Sequence, residues 1–253
     1  MKILAVGNSF SDDTMEYVYP IARSAGVGEL YLGNLYIGGC SLETHVANAR
    51  ADAAAYEYRT DGAGEWSTAA GFRLGDALTA QKWDVVSLQQ ASPLSGRKET
   101  YEPYLGELIA YVRARAPQAR LVWNMTWAYQ SDFEGENFLF YGRSQQRMYE
   151  SILAAVKECV LPRGDFSAIV PCGTAVQNAR ALLGDKLTRD GFHLSYGTGR
   201  LVAGLTFAEA VLGIAASRTS FSPEGVSEAE RVAAVRAAEG AWASPFAVTA
   251  AEK

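Results

Sequence analysis

Histidine is the scarcest reactive residue in this 253-residue chain, which has only His45 and His193. Cysteine is nearly as rare, at positions 40, 159 and 172. Neither set has metal-ligand spacing, so no metal is expected. Three cysteines so placed build no disulfide framework and fit a reducing compartment. No apolar run approaches the ~18 residues of a membrane-spanning helix. Residues 3–6 after Lys2 form a run shorter than the about 7–15 apolar residues of a secretory leader. Together these absences predict a cytoplasmic protein with no membrane partner. The chain also lacks a G-x-x-x-x-G-K-[ST] loop and a strand-linked G-x-G-x-x-G, so no nucleotide cofactor is expected, and no other cofactor is implied. With 23 basic residues against 28 acidic ones and no Lys/Arg cluster, no nucleic-acid partner is expected either.

What is present is the composition of an ordinary globular chain, 49% hydrophobic and 20% charged, long enough to bury a sizeable core. Short apolar runs alternate with helical patterns, the rhythm of βαβ units and a parallel sheet. Strands are expected at residues 3–6, 30–37, 83–88, 120–125 and 167–170. A first helix is expected over 14–25, capped by Ser11-Asp12-Asp13 and kinked at Pro20. Further helices are expected over 101–116, 138–160, 174–183, 201–214 and 227–239. One stretch breaks the rhythm: alternating segments flank Asp61-Gly62-Ala63-Gly64, which predicts a β-hairpin inserted at about 53–70. With no repeat or low-complexity tract, residues 1–253 read as a single domain.

Ser9 follows the first strand in Gly7-Asn8-Ser9. A parallel α/β sheet binds its ligands at such a carboxyl end of a strand. The next helix would aim its N–H groups at a developing oxyanion there. Taken alone, the position suits a helix-capping serine better. A second segment, Asp190-Gly191-Phe192-His193, changes that balance. An Asp three residues before a His can fold back to accept the Nδ1–H, leaving Nε2 to deprotonate a serine. The bland alternative is a turn aspartate beside a surface histidine. Both segments together offer a nucleophile, a base and an orienter, so a Ser-His-Asp hydrolase is the leading expectation.

Four segments then resemble, in order, the blocks of the SGNH (GDSL-like) hydrolase superfamily. They are Gly7-Asn8-Ser9, Gly38-Gly39-Cys40-Ser41-Leu42, Leu88-Gln89-Gln90-Ala91-Ser92 and Asp190-Gly191-Phe192-His193. The resemblance runs from residue 7 to residue 193, about three quarters of the chain. Its middle blocks are similar to those of the sialate O-acetylesterase and acetylxylan esterase branches. It implies a flavodoxin-like three-layer α/β/α sandwich around a central parallel five-stranded sheet. It further implies Ser9 as nucleophile, His193 as general base and Asp190 as the orienter of His193. Gly39 would donate its N–H to the oxyanion, with Gln89 and Gln90 competing as the third donor. Two departures stand out: Asn8 replaces the usual Asp, and a Gln replaces the usual third-block Asn. A Gln amide can donate the same hydrogen bond from a longer arm.

The segment from Trp123 to Tyr129 carries aromatics off the fourth strand. Trp123 reads as core, whereas Trp127 and Tyr129 are candidates for a substrate wall. His45, behind the second block, is a further candidate contact or else a partly exposed helix residue. Arg189 and Arg200 flank the Asp-His segment, as capping or surface residues or as partners for an acidic substrate group. The reading that results is a metal-independent serine esterase that removes O-acetyl groups from a carbohydrate through an acyl-enzyme. The alternatives are a lipase, thioesterase or acyltransferase on the same fold, or a non-catalytic carbohydrate-binding protein. Its partner would be a small-molecule or oligosaccharide ester, with the oligomeric state left open.

Overall fold

The alternation of apolar runs and helical patterns becomes sixteen strands and helices in a computed structural model that describes residues 1–249. The N-terminal third comprises β1 (Lys2–Gly7), α1 (Ser9–Met15), α2 (Val18–Ser24), β2 (Tyr31–Tyr36), α3 (Leu42–Arg50), β3 (Tyr56–Asp61) and β4 (Ser67–Phe72). The middle holds α4 (Leu74–Thr79), β5 (Val85–Leu88), α5 (Tyr104–Arg115), β6 (Arg120–Asn124) and α6 (Gln145–Ala155). Then come β7 (Phe166–Val170), α7 (Cys172–Leu183), α8 (Thr198–Leu212) and α9 (Glu228–Ala243).

Strand β1 is buried from Ile3 to Gly7, as an Ile-Leu-Ala-Val run requires of a central parallel strand. It pairs in parallel with β2 on one side and β5 on the other, and β6 and β7 continue in parallel beyond β5. The hairpin changes the sheet. Strand β3 pairs antiparallel with β2, from Leu32 opposite Asp61 to Tyr36 opposite Glu57, and β4 closes the edge. One mixed seven-stranded sheet results, ordered β4-β3-β2-β1-β5-β6-β7. The expected five-stranded, all-parallel flavodoxin-like sheet is therefore incorrect. The cause is visible in β3, where Tyr56 and Tyr58 turn inward and bury against the core. A strand with one apolar face docks on a free sheet edge instead of standing apart. Asp61 then turns the chain by accepting hydrogen bonds from Ala63 N (3.0 Å) and Gly64 N (2.6 Å).

Several helix boundaries also differ from expectation. The first helix starts at Ser9, not at residue 14, because Asn8 caps it: its Oδ1 accepts from Phe10 N at 3.0 Å. The break expected at Pro20 falls earlier, at Glu16 and Tyr17, and Pro20 lies in the first turn of α2. A missing N–H costs nothing there. No single helix covers 138–160. A 3-10 turn (Glu136–Tyr141) stops at Gly142, whose φ of 63° is left-handed, and Ser144 caps the restart into α6. Helix α4 was not anticipated. The C-terminal helix is opened by a reciprocal capping box between Ser227 and Glu230. Helices α1, α2, α7, α8 and α9 pack among themselves, and α3, α4 and α5 form a second set.

Candidate active site

Ser9 owes its place to the close approach of β1 and α1. A Cβ on Gly7 would lie 2.5 Å from Ser11 Oγ, so glycine lets the helix begin immediately after the strand. Capping falls to Asn8, not to Ser9. Besides Phe10 N, Asn8 Oδ1 accepts from Gln89 Nε2 at 3.0 Å, and Asn8 Nδ2 donates to Cys40 O at 2.9 Å. That amide ties β1 to the second and third glycine- and glutamine-bearing segments. The Ser9 hydroxyl is thus left to a different partner, His193 Nε2, at 2.8 Å.

His193 comes from a loop that folds on itself. Its Nδ1 is 2.6 Å from Asp190 Oδ2, while Asp190 Oδ1 accepts from His193 N (2.8 Å) and Phe192 N (3.2 Å). Burial alone would raise the Asp190 pKa. The hydrogen bonds from the His193 ring and from those two N–H groups outweigh it and hold the carboxyl below its usual value. Gly191 supplies the reversal with φ of 93°, and the Phe133 ring packs where its Cβ would be. Outside groups hold this loop. Trp127 Nε1 donates to Phe192 O at 2.8 Å, and Gln130 N donates to Gly191 O at 2.7 Å.

A further anchor is Asp13, which has no solvent exposure. Its carboxylate accepts from Arg189 Nη1 (2.9 Å), Arg200 Nε (2.8 Å) and Leu194 N (2.8 Å), so α1 grips both flanks of the Asp-His segment. Sequence reasoning noted both arginines without their shared acid. The available signal was a second Asp in a short helix, one residue beyond the cleft-lining Asp12.

Ser9 and His193 open onto a cleft of about 370 Å³, which Gly39, Asp12, Tyr36 and Tyr129 also line. Among the other candidates, Tyr129 is nearly buried, with its hydroxyl 2.9 Å from Ser92 Oγ. Gln89 and Gln90 do not border the cleft. The Gln89 amide donates to Asn8 and accepts from Asn124 Nδ2 at 3.0 Å. Gln90 Oε1 accepts from Leu42 N and Ala91 N, and its Nε2 donates to Thr100. Trp127 is fully buried and stacks on Phe10 with ring centroids 4.2 Å apart. His45, expected to be partly exposed, is instead wholly buried, with Nδ1 3.0 Å from the Tyr56 hydroxyl. Burial pulls its pKa down to about 4. Both stand as core residues away from the cleft. Among the described residues, no group of three His, Cys, Asp or Glu side chains could hold a metal ion. No helix among them is long and apolar enough to cross a membrane.

Comparison with solved structures places this geometry in context. A catalytic mutant of an acetylxylan esterase from Geobacillus stearothermophilus is similar over 82% of this chain and 92% of its own, at 15% identity and a TM-score of 0.52. A protein from Slackia heliotrinireducens, provisionally described as an SGNH hydrolase, aligns over 83% and 98%, at 23% identity and a TM-score of 0.56. These likenesses show an SGNH/GDSL-hydrolase-like fold. Among curated proteins, none matches. A DUF4886 family protein from Bacteroides uniformis ATCC 8492 is much nearer, 40% identical over 99% of this chain and 97% of its own, with a TM-score of 0.95. The family model "Domain of unknown function (DUF4886)" matches residues 2–241, and the chain therefore belongs to the DUF4886 family.

Proposed function

We propose that the protein is a metal-independent serine esterase that removes O-acetyl groups from a carbohydrate. One observation carries the reading: the unbroken hydrogen-bond chain Ser9–His193–Asp190 ends at a hydroxyl that opens onto a cleft. Helix capping does not account for Ser9, since Asn8 makes the cap. In this mechanism His193 Nε2 takes the proton of Ser9 as Oγ attacks the acyl carbon. Asp190 holds the imidazole in the tautomer with Nδ1 protonated and stabilises the imidazolium that follows. The Ser9 and Gly39 N–H groups would serve as the oxyanion donors, since both residues border the cleft. His193 then returns the proton to the leaving alcohol, and water repeats the cycle to release acetate. Gln89, behind Asn8, steadies the nucleophile segment and is not an oxyanion donor in this scheme. The cleft mixes polar side chains such as Asp12 and Asn137 with aromatic ones such as Tyr36 and Phe192, a combination that suits a sugar alcohol.

The test is hydrolysis of p-nitrophenyl acetate by wild type, Ser9→Ala and His193→Ala, with intact-mass analysis after a fluorophosphonate probe. Turnover in wild type alone, and labelling that Ser9→Ala abolishes, is the expected result. A folded wild type that neither turns over nor takes the label would overturn the esterase reading.

A further inference from the structure

Asp12 lies one helical turn beyond Ser9, on the same side of α1, and it borders the same cleft. Its carboxylate is fixed from two directions. Asn34 Nδ2 donates to Oδ1 at 2.7 Å, and Arg59 Nη1 pairs with Oδ2. Arg59 reaches in from β3, lies over the Tyr36 ring at 4.1 Å from its centroid, and is itself held by Glu57 at 2.8 Å. The hairpin that widens the sheet therefore backs two residues of the cleft lining, Asp12 and Tyr36, through Arg59. Each carboxylate oxygen of Asp12 accepts one of these bonds and so retains capacity to accept another.

The charges around the cleft are already matched. Arg189, a cation on its lining, is spent on Asp13, which Arg200 also neutralises. Arg59 is spent on Asp12 and Glu57. A carboxylate on the substrate would meet no unpaired cation among these and would face the anion of Asp12. A neutral hydroxyl beside the ester would find a fixed acceptor.

Resting on the esterase reading, we infer that Asp12 is a specificity-determining residue that accepts a hydrogen bond from a hydroxyl next to the esterified one. The substrates selected are then esters of uncharged, vicinally hydroxylated alcohols such as neutral sugars, and acetylated acidic sugars are disfavoured. Arg59 is the positioning residue for that contact. This gives the hairpin a part in substrate choice in addition to its part in the sheet.

A minimal pair of esters tests it: trans-2-hydroxycyclohexyl acetate against cyclohexyl acetate, which differ by the one hydroxyl. Wild type should prefer the hydroxylated ester in kcat/KM by about 10- to 100-fold, the range of a hydrogen bond to a charged group. In Asp12→Ala that ratio should fall toward one, and Asp12→Asn, which keeps the shape, should fall between. The wild-type ratio needs no variant, so a misfolded Asp12→Ala does not spoil the test. A wild-type ratio near one, or a ratio unchanged in both variants, would overturn the inference. So would turnover of p-nitrophenyl acetate with none of either cyclohexyl ester. Absence of p-nitrophenyl acetate turnover together with absence of probe on Ser9 is a separate outcome, because it removes the esterase reading itself.

Discussion

Ser9 and His193 meet in one hydrogen bond although 184 residues separate them, and they reach it by opposite means. The nucleophile segment is positioned by its own backbone. Strand β1 is buried in the middle of the sheet, Gly7 lets α1 start at once, and Asn8 caps that helix two residues on. The base loop has no regular structure beyond the single bridge between Thr188 and Leu194. It is shaped from within by Asp190 and from outside by Asp13, Trp127, Gln130 and Phe133. One half of the site is therefore as stable as the sheet, while the other is only as stable as its clamps. Loops held by few contacts open locally at lower free energy than core strands. The serine should tolerate distant substitutions, and the histidine should not.

The largest expected effect comes from inside the loop. Asp190→Asn should keep the turn, because an amide oxygen still accepts from the N–H groups of residues 192 and 193. It should lose the correct tautomer of His193, and kcat should fall by roughly 10⁴-fold. Fluorophosphonate labelling of Ser9 should slow in parallel. The wild-type carboxyl is held below its usual value by the hydrogen bonds it accepts, so Asp190 stays ionised as the pH falls toward that value. Asp190 protonation should then add no loss of kcat/KM until the pH falls below the usual carboxylate range, which a pH profile of kcat/KM checks.

Next is the clamp between the halves. Asp13→Asn removes a buried anion and leaves Arg189 and Arg200 facing each other without their shared counter-charge. Breaking such a pair costs about 3–5 kcal/mol in a buried setting, and the partial exposure of both arginines brings the expectation to the lower end. Thermal unfolding measures this loss. If the comparison is right, proteolytic cutting near residue 190 should rise before cutting anywhere in β1.

The contrast also explains what the sequence made legible. Ser9, Asp190 and His193 stand in short local motifs, and the structure brings those three together. Gly39 and Tyr129 likewise border the cleft. Asp13 escaped notice because its partners lie 176, 181 and 187 residues away, a distance no local pattern spans. The inward turn of Gln89 depends on Asn8, whose amide oxygen accepts the bond that would otherwise be free for the cleft. His45 sits in α3 with polar neighbours in sequence, yet β3 covers it with Tyr56, stacked at 5.7 Å between centroids. The mixed sheet has the same origin. Alternation identified the hairpin, but whether it docks on β2 is settled by the apolar face of β3 and the free edge beside it, which are tertiary facts.

A milder break of the loop is Gly191→Ala. The new methyl would meet the Phe133 ring at 2.4 Å in a left-handed backbone, so ring and loop must both shift. Displacing His193 by about 1 Å is enough for a loss of about 10²-fold in kcat, with KM little changed. Phe133→Ala should restore part of the loss by making room, though the strained φ remains. Equal damage to kcat and KM, or no rescue, would count against a pure displacement of the base.

The smallest effect should come from Trp127→Phe. The indole does two things: its face stacks on Phe10, which follows Ser9 in α1, and its N–H holds Phe192 O beside His193. It touches both halves of the site from a third segment. Phenylalanine keeps much of the stack and deletes only the hydrogen bond. The carbonyl left behind loses about 1 kcal/mol of stabilisation, which falls on the loop and not on β1. Turnover should drop several-fold, with the fluorophosphonate rate falling by the same factor and the unfolding midpoint moving little. Should the midpoint drop sharply with turnover per folded molecule unchanged, Trp127 would belong to the core alone. The division between a self-positioned serine and a clamped histidine would then rest on Asp13 and Gly191.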